Sequence, residues 1–255
     1  MSSRDPADLD HYYSFNDIEV WKTVLGEKMH YHYAVKSKEN DPFDQAVIDL
    51  FKFIKPGSKI LDCGCGWGGP ANLIKEKLNC DVTGVTISKS QSEYIKNFPV
   101  FHEDLNHFIP SKKYDIAIFI ESFTHIINSA SMLKHYYNNV DSILIKDFVS
   151  DELIDLPLWN MLTRTKTIFV NELEQAGYIV KDYREIQNFM QPALDIWMKN
   201  LAKLDQSLIV GHIKQLLDLC HKYRNHRYDS VSQCVIYATR DKPITRDPIG
   251  SSALL

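Results

Sequence analysis

The stretch Leu61-Asp62-Cys63-Gly64-Cys65-Gly66-Trp67-Gly68-Gly69 decides the fold. The apolar run 59–62 leads into it and predicts a short strand, and residues 70–78 predict a helix whose first turn tolerates Pro70. A strand that turns abruptly into a helix needs glycine where the backbone is left-handed or touches a ligand. The glycines also satisfy the G-x-G-x-x-G spacing of dinucleotide-binding turns, so a nicotinamide-dependent oxidoreductase is one interpretation.

The rest of the chain alternates between short apolar runs and helical stretches. Strands are predicted at residues 59–62, 81–86, 99–102, 114–120, 142–148, 178–183 and 232–239. Helices are predicted at residues 89–96, with Ser88 as the N-cap, and at 131–137 and 171–176. This alternation predicts an α/β fold with a mostly parallel seven-stranded sheet and helices on both faces.

Three segments flank or interrupt this pattern. Residues 1–50 are rich in aromatic side chains and predict an N-terminal helical lid, followed by the main domain at 51–240. Residues 188–228 carry apolar side chains at helical spacing and predict a helical insert that helps to cover the mouth of the sheet. Residues 241–255 predict a loosely held tail.

Composition excludes several classes of function. Among 255 residues, 29 are Lys or Arg and 33 are Asp or Glu, so the basic excess of a nucleic-acid-binding protein is missing. The sequence holds no apolar run of about 18 residues, so no membrane span is expected. The polar start does not resemble a signal peptide, and the five cysteines lack a disulfide-like layout. We therefore expect reduced thiols and a cytoplasmic protein.

Four blocks of the sequence resemble one known family. The turn LDCGCGWGG is similar to the cofactor turn of class I S-adenosylmethionine-dependent methyltransferases, in the variant of the mycolic-acid cyclopropane synthases and their small-molecule relatives. Residues 84–91 (GVTISKSQ) resemble the G-x-T-[LI]-S-x-x-Q element of that branch, in which Thr86 replaces the usual acidic residue and weakens the oxidoreductase interpretation. Residues 25–34 (LGEKMHYHYA) resemble L-D-x-x-x-x-Y-S-x-A, with His32 in place of serine. Residues 114–125 resemble the fourth strand and the loop after it.

The resemblance implies a Rossmann-like class I methyltransferase fold and S-adenosyl-L-methionine as cofactor. It implies that the cofactor-binding residues are Tyr31, His32, Asp62, Gly64, Cys65, Gly66, Thr86, Ile87, Gln91, Asp104, Leu105 and Ile120. Among these, Tyr31 and His32 meet the methionine end, Asp62 shapes the turn or meets the amino group, and Asp104 accepts the adenine amino group.

The candidate catalytic residues follow the fourth and fifth strands. A hydroxyl acceptor must lose its proton, and His125 is the best general base because histidine titrates near neutral pH. Asp147 is expected to open onto the same side and to orient His125. Glu121 is the alternative, as an acid that stabilises a developing cation or orients an amine. No metal site is expected, because His30 and His32 have no further ligands at recognisable spacing.

The expected function is methyl transfer to a small molecule, with oxygen favoured as the acceptor atom because His125 and Asp147 suit proton removal. Nitrogen or carbon of a small amine or an isoprenoid-like substrate is the alternative, as is a catalytically inactive cofactor-binding module. Cyclopropanation of lipids is less favoured, because the F-E-H triplet of the synthases appears here as Phe123-Thr124-His125. The sequence leaves the acceptor and the oligomeric state open.

Overall fold

A seven-stranded sheet forms the centre of the protein. The computed structural model describes residues 10, 13–156, 161–186, 190–223 and 231–241. The strand order is β3-β2-β1-β4-β5-β9-β8. The strands are β1 (Lys59–Cys63), β2 (Asp81–Thr86), β3 (Val100–His102), β4 (Tyr114–Ile120), β5 (Val140–Ser150), β8 (Tyr178–Ile186) and β9 (Val231–Arg240), and a separate hairpin consists of β6 (Ile154–Leu156) and β7 (Met161–Thr163).

Strands β1 to β5 run parallel, whereas β9 is antiparallel to both of its neighbours, β5 and β8. In the register, Asp62 lies beside Gly84 of β2 and Ile118 of β4. The chain leaves β1 for β2 on one side and later returns to place β4 on the other, so the carboxyl ends of β1 and β4 flank the point where the strand order reverses. The predicted fold, a mostly parallel seven-stranded sheet with helices, is confirmed.

Eight α-helices accompany the strands in the described ranges. They are α1 (Ile18–Leu25), α2 (Pro42–Ile48), α3 (Gly69–Leu78), α4 (Lys89–Tyr94), α5 (Ser129–Tyr136), α6 (Lys166–Gln175), α7 (Met190–Leu201) and α8 (Gly211–Tyr223). The longest has 13 residues, and none in these ranges reaches the length and apolarity that a lipid bilayer requires of a spanning helix.

Each face of the sheet buries its own set of apolar side chains. Helices α5 and α6 pack on one face, through residues such as Leu133 and Phe169. Helices α2 and α3 pack on the other face, through residues such as Val47 and Ile74. A strand covered on both faces reads as a continuous apolar run, which explains why the bounds predicted for β4 agree with the observed ones.

A third apolar cluster lies at the carboxyl ends of the strands. It joins α1 to the insert helices α7 and α8, with Trp21, Trp67 and Trp197 among its buried members. The helical character predicted for the insert is confirmed over residues 190–201 and 211–223. Beyond residue 241, the predicted tail lies outside the described residues.

Two local predictions were incomplete. Helix α6 begins at Lys166, five residues before the predicted start, because the Thr165 side chain caps it by accepting a hydrogen bond from the Ile168 amide. The β6–β7 hairpin was not predicted, since each of its strands has only three residues and shows no alternation.

Candidate active site

A cavity of about 260 Å³ opens at the carboxyl ends of the strands, beside the point where the strand order reverses. It is bounded by the glycine turn, the loops after β2, β3 and β4, the segment 31–33 and the insert. Most of the predicted cofactor residues line it, namely Tyr31, His32, Gly64, Gly66, Thr86, Ile87, Gln91, Asp104, Leu105 and Ile120. Ligands of open α/β sheets bind at this position in general.

Gly64 brings the glycine turn into direct contact with the loop after β4. Its φ is +82°, a left-handed value that side chains oppose. A Cβ atom at this position would lie 2.9 Å from the Ser122 hydroxyl and closer still to the Ser122 Cβ. The same hydroxyl donates to the carbonyl of Cys63 at 2.5 Å. The contact therefore leaves no room for any residue except glycine.

Two predicted cofactor residues, Asp62 and Cys65, lie behind the cavity wall. The Asp62 carboxyl is buried, and its Oδ2 has no hydrogen-bond partner among the described residues. Burial raises the pKa of Asp62 to about 7. A buried acceptor without a donor fits the ammonium group of the expected cofactor. Cys65 instead packs its thiol over Gly84, where a Cβ would lie 2.7 Å from the sulfur.

Three polar side chains, those of Thr86, Gln91 and Asp104, line the cavity beside the ends of β2 and β3. The Thr86 hydroxyl donates to Gln91 Oε1 at 2.7 Å, and the Ser88 side chain caps α4 by accepting from the Gln91 amide. Asp104 Oδ1 accepts from the backbone and side-chain nitrogens of Asn106, at 2.9 and 2.8 Å. These bonds leave Asp104 Oδ2 for a donor on a ligand, which suits the role predicted for this carboxylate.

The segment from Lys28 to Tyr33 lies across the start of α3. Gly69 permits this approach, because a Cβ there would lie 2.7 Å from the carbonyl oxygens of both Lys28 and Met29. From this segment Tyr31 and His32 reach the cavity. The Tyr31 hydroxyl lies 2.8 Å from Nε2 of His212, which belongs to α8. The N-terminal segment and the insert thus meet above the sheet.

His125 lines the cavity from a short 3₁₀ turn, Phe123–His125. Its Nε2 lies 3.3 Å from the hydroxyl of Tyr13, which belongs to the N-terminal segment. Burial raises the pKa of Tyr13, so this hydroxyl keeps its proton and can donate it to a neutral imidazole. The ring nitrogen that we expect to accept a proton is therefore covered by the predicted lid.

The predicted pairing of His125 with Asp147 is wrong. The buried Asp147 carboxylate accepts from the amides of Thr124 and Phe148, at 3.0 and 2.7 Å. Side chains alternate along a strand, so Lys146 and Phe148 point to the cavity side of β5 and Asp147 points to the other face. Burial raises the pKa of Asp147 to about 7. Asp147 therefore supports the backbone of the turn that carries His125.

Arg164 supports the same turn from the opposite side. Its guanidinium is fully buried and donates to the carbonyls of Phe123, at 3.4 Å, and Ile126, at 2.5 Å. Its Nε is bound to the carboxylate of Glu172 at 2.9 Å. Because the two carbonyls flank His125, Arg164 and Asp147 together fix the position of the turn. Arg164 was not predicted from the sequence.

Glu121 has a left-handed backbone, with φ +56°, and its carboxylate is well bonded. It accepts from the Tyr33 amide at 2.8 Å, from Lys146 Nζ at 2.9 Å and from Gln233 Nε2 at 2.6 Å. A non-glycine residue holds such a backbone only when its surroundings dictate it. Lys146 neutralises the charge of this carboxylate, so Glu121 offers little negative charge to the cavity. Its main contacts instead join the N-terminal segment, through Tyr33, to the sheet, through Lys146 and Gln233.

Comparison with known proteins agrees with this geometry. Residues 2–148 match the protein family described as mycolic acid cyclopropane synthetase. The chain belongs to this family. Its members are S-adenosylmethionine-dependent methyltransferases, so the resemblance and the cofactor that were predicted from the four sequence blocks are confirmed.

Curated relatives match part of the chain. The chain is 37% identical over 147 residues to (S)-tetrahydroprotoberberine N-methyltransferase of Eschscholzia californica, covering 51% of this chain and 42% of the relative. It is 35% identical over 96 residues to 24-methylenesterol C-methyltransferase 3 of Arabidopsis thaliana, covering 36% and 26%. The alignments thus span less than half the length of these relatives.

Solved structures with the same fold extend over nearly the whole chain. The cyclopropane synthase MmaA2 from Mycobacterium tuberculosis superposes with a TM-score of 0.76 at 16% identity, covering 94% of this chain and 99% of that one. Coclaurine N-methyltransferase bound to N-methylheliamine and SAH gives 0.73 at 18% identity, covering 92% and 85%. At these identities the likeness shows the shared class I methyltransferase fold.

Within the family fold, the insert supplies one wall of the cavity. This wall contains Met190, Trp197, His212, Leu216, Leu219 and Tyr223. Burial, together with the nearby His125, lowers the pKa of His212 to about 3, so this ring is neutral. The sequence did not indicate His212, because Tyr31, its partner, lies 181 residues away. The wall is mainly aromatic and apolar.

Proposed function

We propose that this protein transfers a methyl group from S-adenosylmethionine to a nitrogen or oxygen atom of a small, mainly apolar molecule, with His125 accepting the proton. The observation that carries the proposal is that His125 and the glycine turn face the same cavity. Asp62, Gly64, Gly66, Thr86 and Asp104 would hold the cofactor.

The cofactor, when bound, would supply an electrophilic methyl group: the acceptor atom would attack this carbon in line with its bond to sulfur, and S-adenosylhomocysteine would leave as a neutral thioether. The protein itself positions the acceptor, and such positioning accounts for much of the rate enhancement. Tyr13, Tyr31 and Tyr33 of the N-terminal segment would cover the cavity as a lid, and the insert would complete the wall that excludes water. Arg164 and Asp147 keep the turn of His125 in place, so that its imidazole can accept a proton from the acceptor.

We place nitrogen ahead of oxygen as the acceptor atom, although the sequence favoured oxygen. Two observations support this order. The relative from Eschscholzia californica is named an N-methyltransferase, and aromatic rings line the acceptor side of the cavity, where they favour a cationic amine. Alkene methylation is less well supported, because Lys146 neutralises Glu121 and because Thr124 turns its hydroxyl to the carbonyl of Leu162.

Cofactor binding is tested first, with purified protein and S-adenosylhomocysteine or NAD. At 100 times its dissociation constant, a true ligand stabilises the folded state by about 2.7 kcal/mol, which thermal unfolding detects readily. We expect S-adenosylhomocysteine to stabilise the protein and NAD to have no effect. Stabilisation by NAD alone would overturn the proposal in favour of an oxidoreductase.

Turnover is tested with isotope-labelled S-adenosylmethionine and a panel of apolar amines and phenols. His125→Ala should lower the rate by roughly 100-fold while the affinity for S-adenosylhomocysteine stays level, because the general base is lost and the cofactor contacts are not. His135→Ala, an exposed position on α5, serves as the matched control. Unchanged turnover in His125→Ala would remove this residue from the mechanism. Tight cofactor binding without transfer to any acceptor would favour the inactive binding module.

A further inference from the structure

Three side chains form a line from the cavity toward the protein surface. His32 lines the cavity, and its Nε2 lies 3.3 Å from Nδ1 of His30. Nε2 of His30 lies 2.9 Å from Oδ1 of Asp44 on α2. Both imidazoles are buried, whereas the Asp44 side chain is 13% exposed. Phe43 packs against both rings, so their orientations are fixed. The line therefore connects a cavity wall with solvent through two contacts.

Counting protons shows that this line is one proton short when both rings are neutral. His32 Nδ1 faces the carbonyl oxygen of Tyr33 at 3.1 Å, which can only accept, so this nitrogen needs a hydrogen. His30 Nε2 faces a carboxylate that is also bonded to Lys28, so this nitrogen needs one too. A third hydrogen must lie between the two rings. Two neutral imidazoles supply only two.

Without the third proton, two lone pairs face each other somewhere along the line. If each outer contact keeps its hydrogen, the opposing lone pairs belong to His32 Nε2 and His30 Nδ1. With the third proton, every contact is a hydrogen bond, and the two rings together carry one positive charge. The two facing ring nitrogens, His32 Nε2 and His30 Nδ1, thus form a site for one additional proton next to the cavity.

Charged groups of both signs surround the two rings. Asp44 and Asp41 favour the protonated pair, whereas Lys28 disfavours it from the same end. From β5, Lys146 also disfavours it, although Glu121 is bound to that ammonium. Burial outweighs the carboxylates and lowers the pKa of both His30 and His32. An additional negative charge at the cavity end would favour protonation of the pair.

We propose that His30 and His32 take up one shared proton when the carboxylate of a bound ligand lies at their end of the cavity, and that Asp44 holds the resulting charge in place. The proton comes from solvent and forms an N–H bond between the two rings, and no electrons are transferred. The proposal rests on the cofactor binding contained in the proposed function, because S-adenosylmethionine and S-adenosylhomocysteine each carry one carboxylate. The acidic residues Glu103 and Asp104 line another part of the same cavity, which favours one orientation of such a ligand.

Calorimetry with S-adenosylhomocysteine in two buffers of different ionisation enthalpy measures the number of protons taken up on binding. At pH 7.5 we expect the wild type to take up about one proton more than His30→Gln. Asp44→Asn should also lose uptake at this pH and regain it at lower pH, because the carboxylate that favours the charge is gone. His135→Gln and Asp49→Asn, at exposed positions, are the matched controls. Asp62 is present in all variants, so any proton that it releases cancels in the difference.

Equal proton numbers for the wild type, His30→Gln and Asp44→Asn would overturn the proposal. If a variant does not fold, NMR spectra of the wild type alone still test the proposal. Long-range ¹H–¹⁵N spectra should show ring nitrogens of His30 and His32 gaining protonated character when S-adenosylhomocysteine is added, and unchanged spectra at saturation would overturn the proposal. Binding without proton uptake would leave the proposed function intact. Failure of S-adenosylhomocysteine to bind would overturn both.

Discussion

Replacing Gly64 by alanine tests the contact between the glycine turn and the loop after β4. The added methyl group would meet the side chain of Ser122, whose hydroxyl lies 2.9 Å from the ideal Cβ position. It would also have to adopt φ +82°. The left-handed backbone costs about 1–2 kcal/mol for a residue with a side chain. Overpacking of a rigid site costs typically 1–3 kcal/mol more. We expect a loss of about 2–5 kcal/mol in the free energy of unfolding.

The chain contains a matched control for this experiment. Gly57 has nearly the same backbone angle, φ +77°, but a Cβ there would meet nothing within 4 Å. Gly57→Ala should therefore cost only the backbone part, about 1–2 kcal/mol. Urea denaturation of the two variants, followed by circular dichroism, gives the difference directly. A Gly64→Ala variant as stable as Gly57→Ala would refute the steric argument.

A double-mutant cycle separates the steric part further. Ser122→Gly removes the obstacle but also the hydrogen bond to the Cys63 carbonyl, which costs about 1 kcal/mol alone. In the double variant the alanine at position 64 should cost only the backbone part. We therefore expect a coupling energy of about 1–3 kcal/mol, and a coupling near zero would show that Ser122 moves aside freely.

Three further predictions concern buried groups. Burial raises the pKa of Asp62 to about 7, so the unfolded chain releases the Asp62 proton at a lower pH than the folded protein does. The free energy of unfolding of the wild type should therefore fall relative to that of Asp62→Asn as pH rises from about 4 to 7. Parallel pH profiles of the two unfolding free energies would contradict this. Arg164→Met should lose about 3–5 kcal/mol in denaturant unfolding, since Glu172 and two carbonyls lose their donor, and a loss below about 1 kcal/mol would show that the guanidinium is dispensable. All five cysteines are free and buried, so a thiol reagent should modify them slowly in the native protein and all five after denaturation; rapid modification of the native protein would contradict the burial.

The sheet was readable from the sequence because its signals are local. The continuous apolar run 114–120 predicted β4 with its observed bounds, and Ser88 was correctly predicted as the N-cap of the following helix. The glycine turn was informative for the same reason. A left-handed backbone at Gly64 and a close approach at Gly69 restrict the residue type directly. The glycines that meet these requirements are therefore visible in the sequence, although the groups that approach them, Ser122 and the carbonyls of Lys28 and Met29, come from other parts of the chain.

The supports of His125 were not readable, since they depend on distant parts of the chain. Arg164 lies in a short polar stretch that resembles an exposed turn, and only the folded chain places it beside carbonyls about forty residues earlier. The Asp147 carboxylate accepts from the amide of Thr124, which lies 23 residues earlier in the chain, so no local pattern indicates this contact. His212 meets Tyr31 only because the insert folds back over the sheet.

Two parts of the chain form the walls of the cavity, so substitutions in one wall can be made separately from substitutions in the other. The sheet and its turns carry most of the residues predicted to hold the cofactor, whereas residues 190–223 carry much of the aromatic and apolar surface of another wall. Exchanging Met190, Leu216 or Leu219 would reshape the space beside this wall without altering the glycine turn, whereas Trp197 also packs against Tyr31. A library confined to Met190, Leu216 and Leu219 is therefore a compact way to test whether this wall shapes the space for the proposed acceptor.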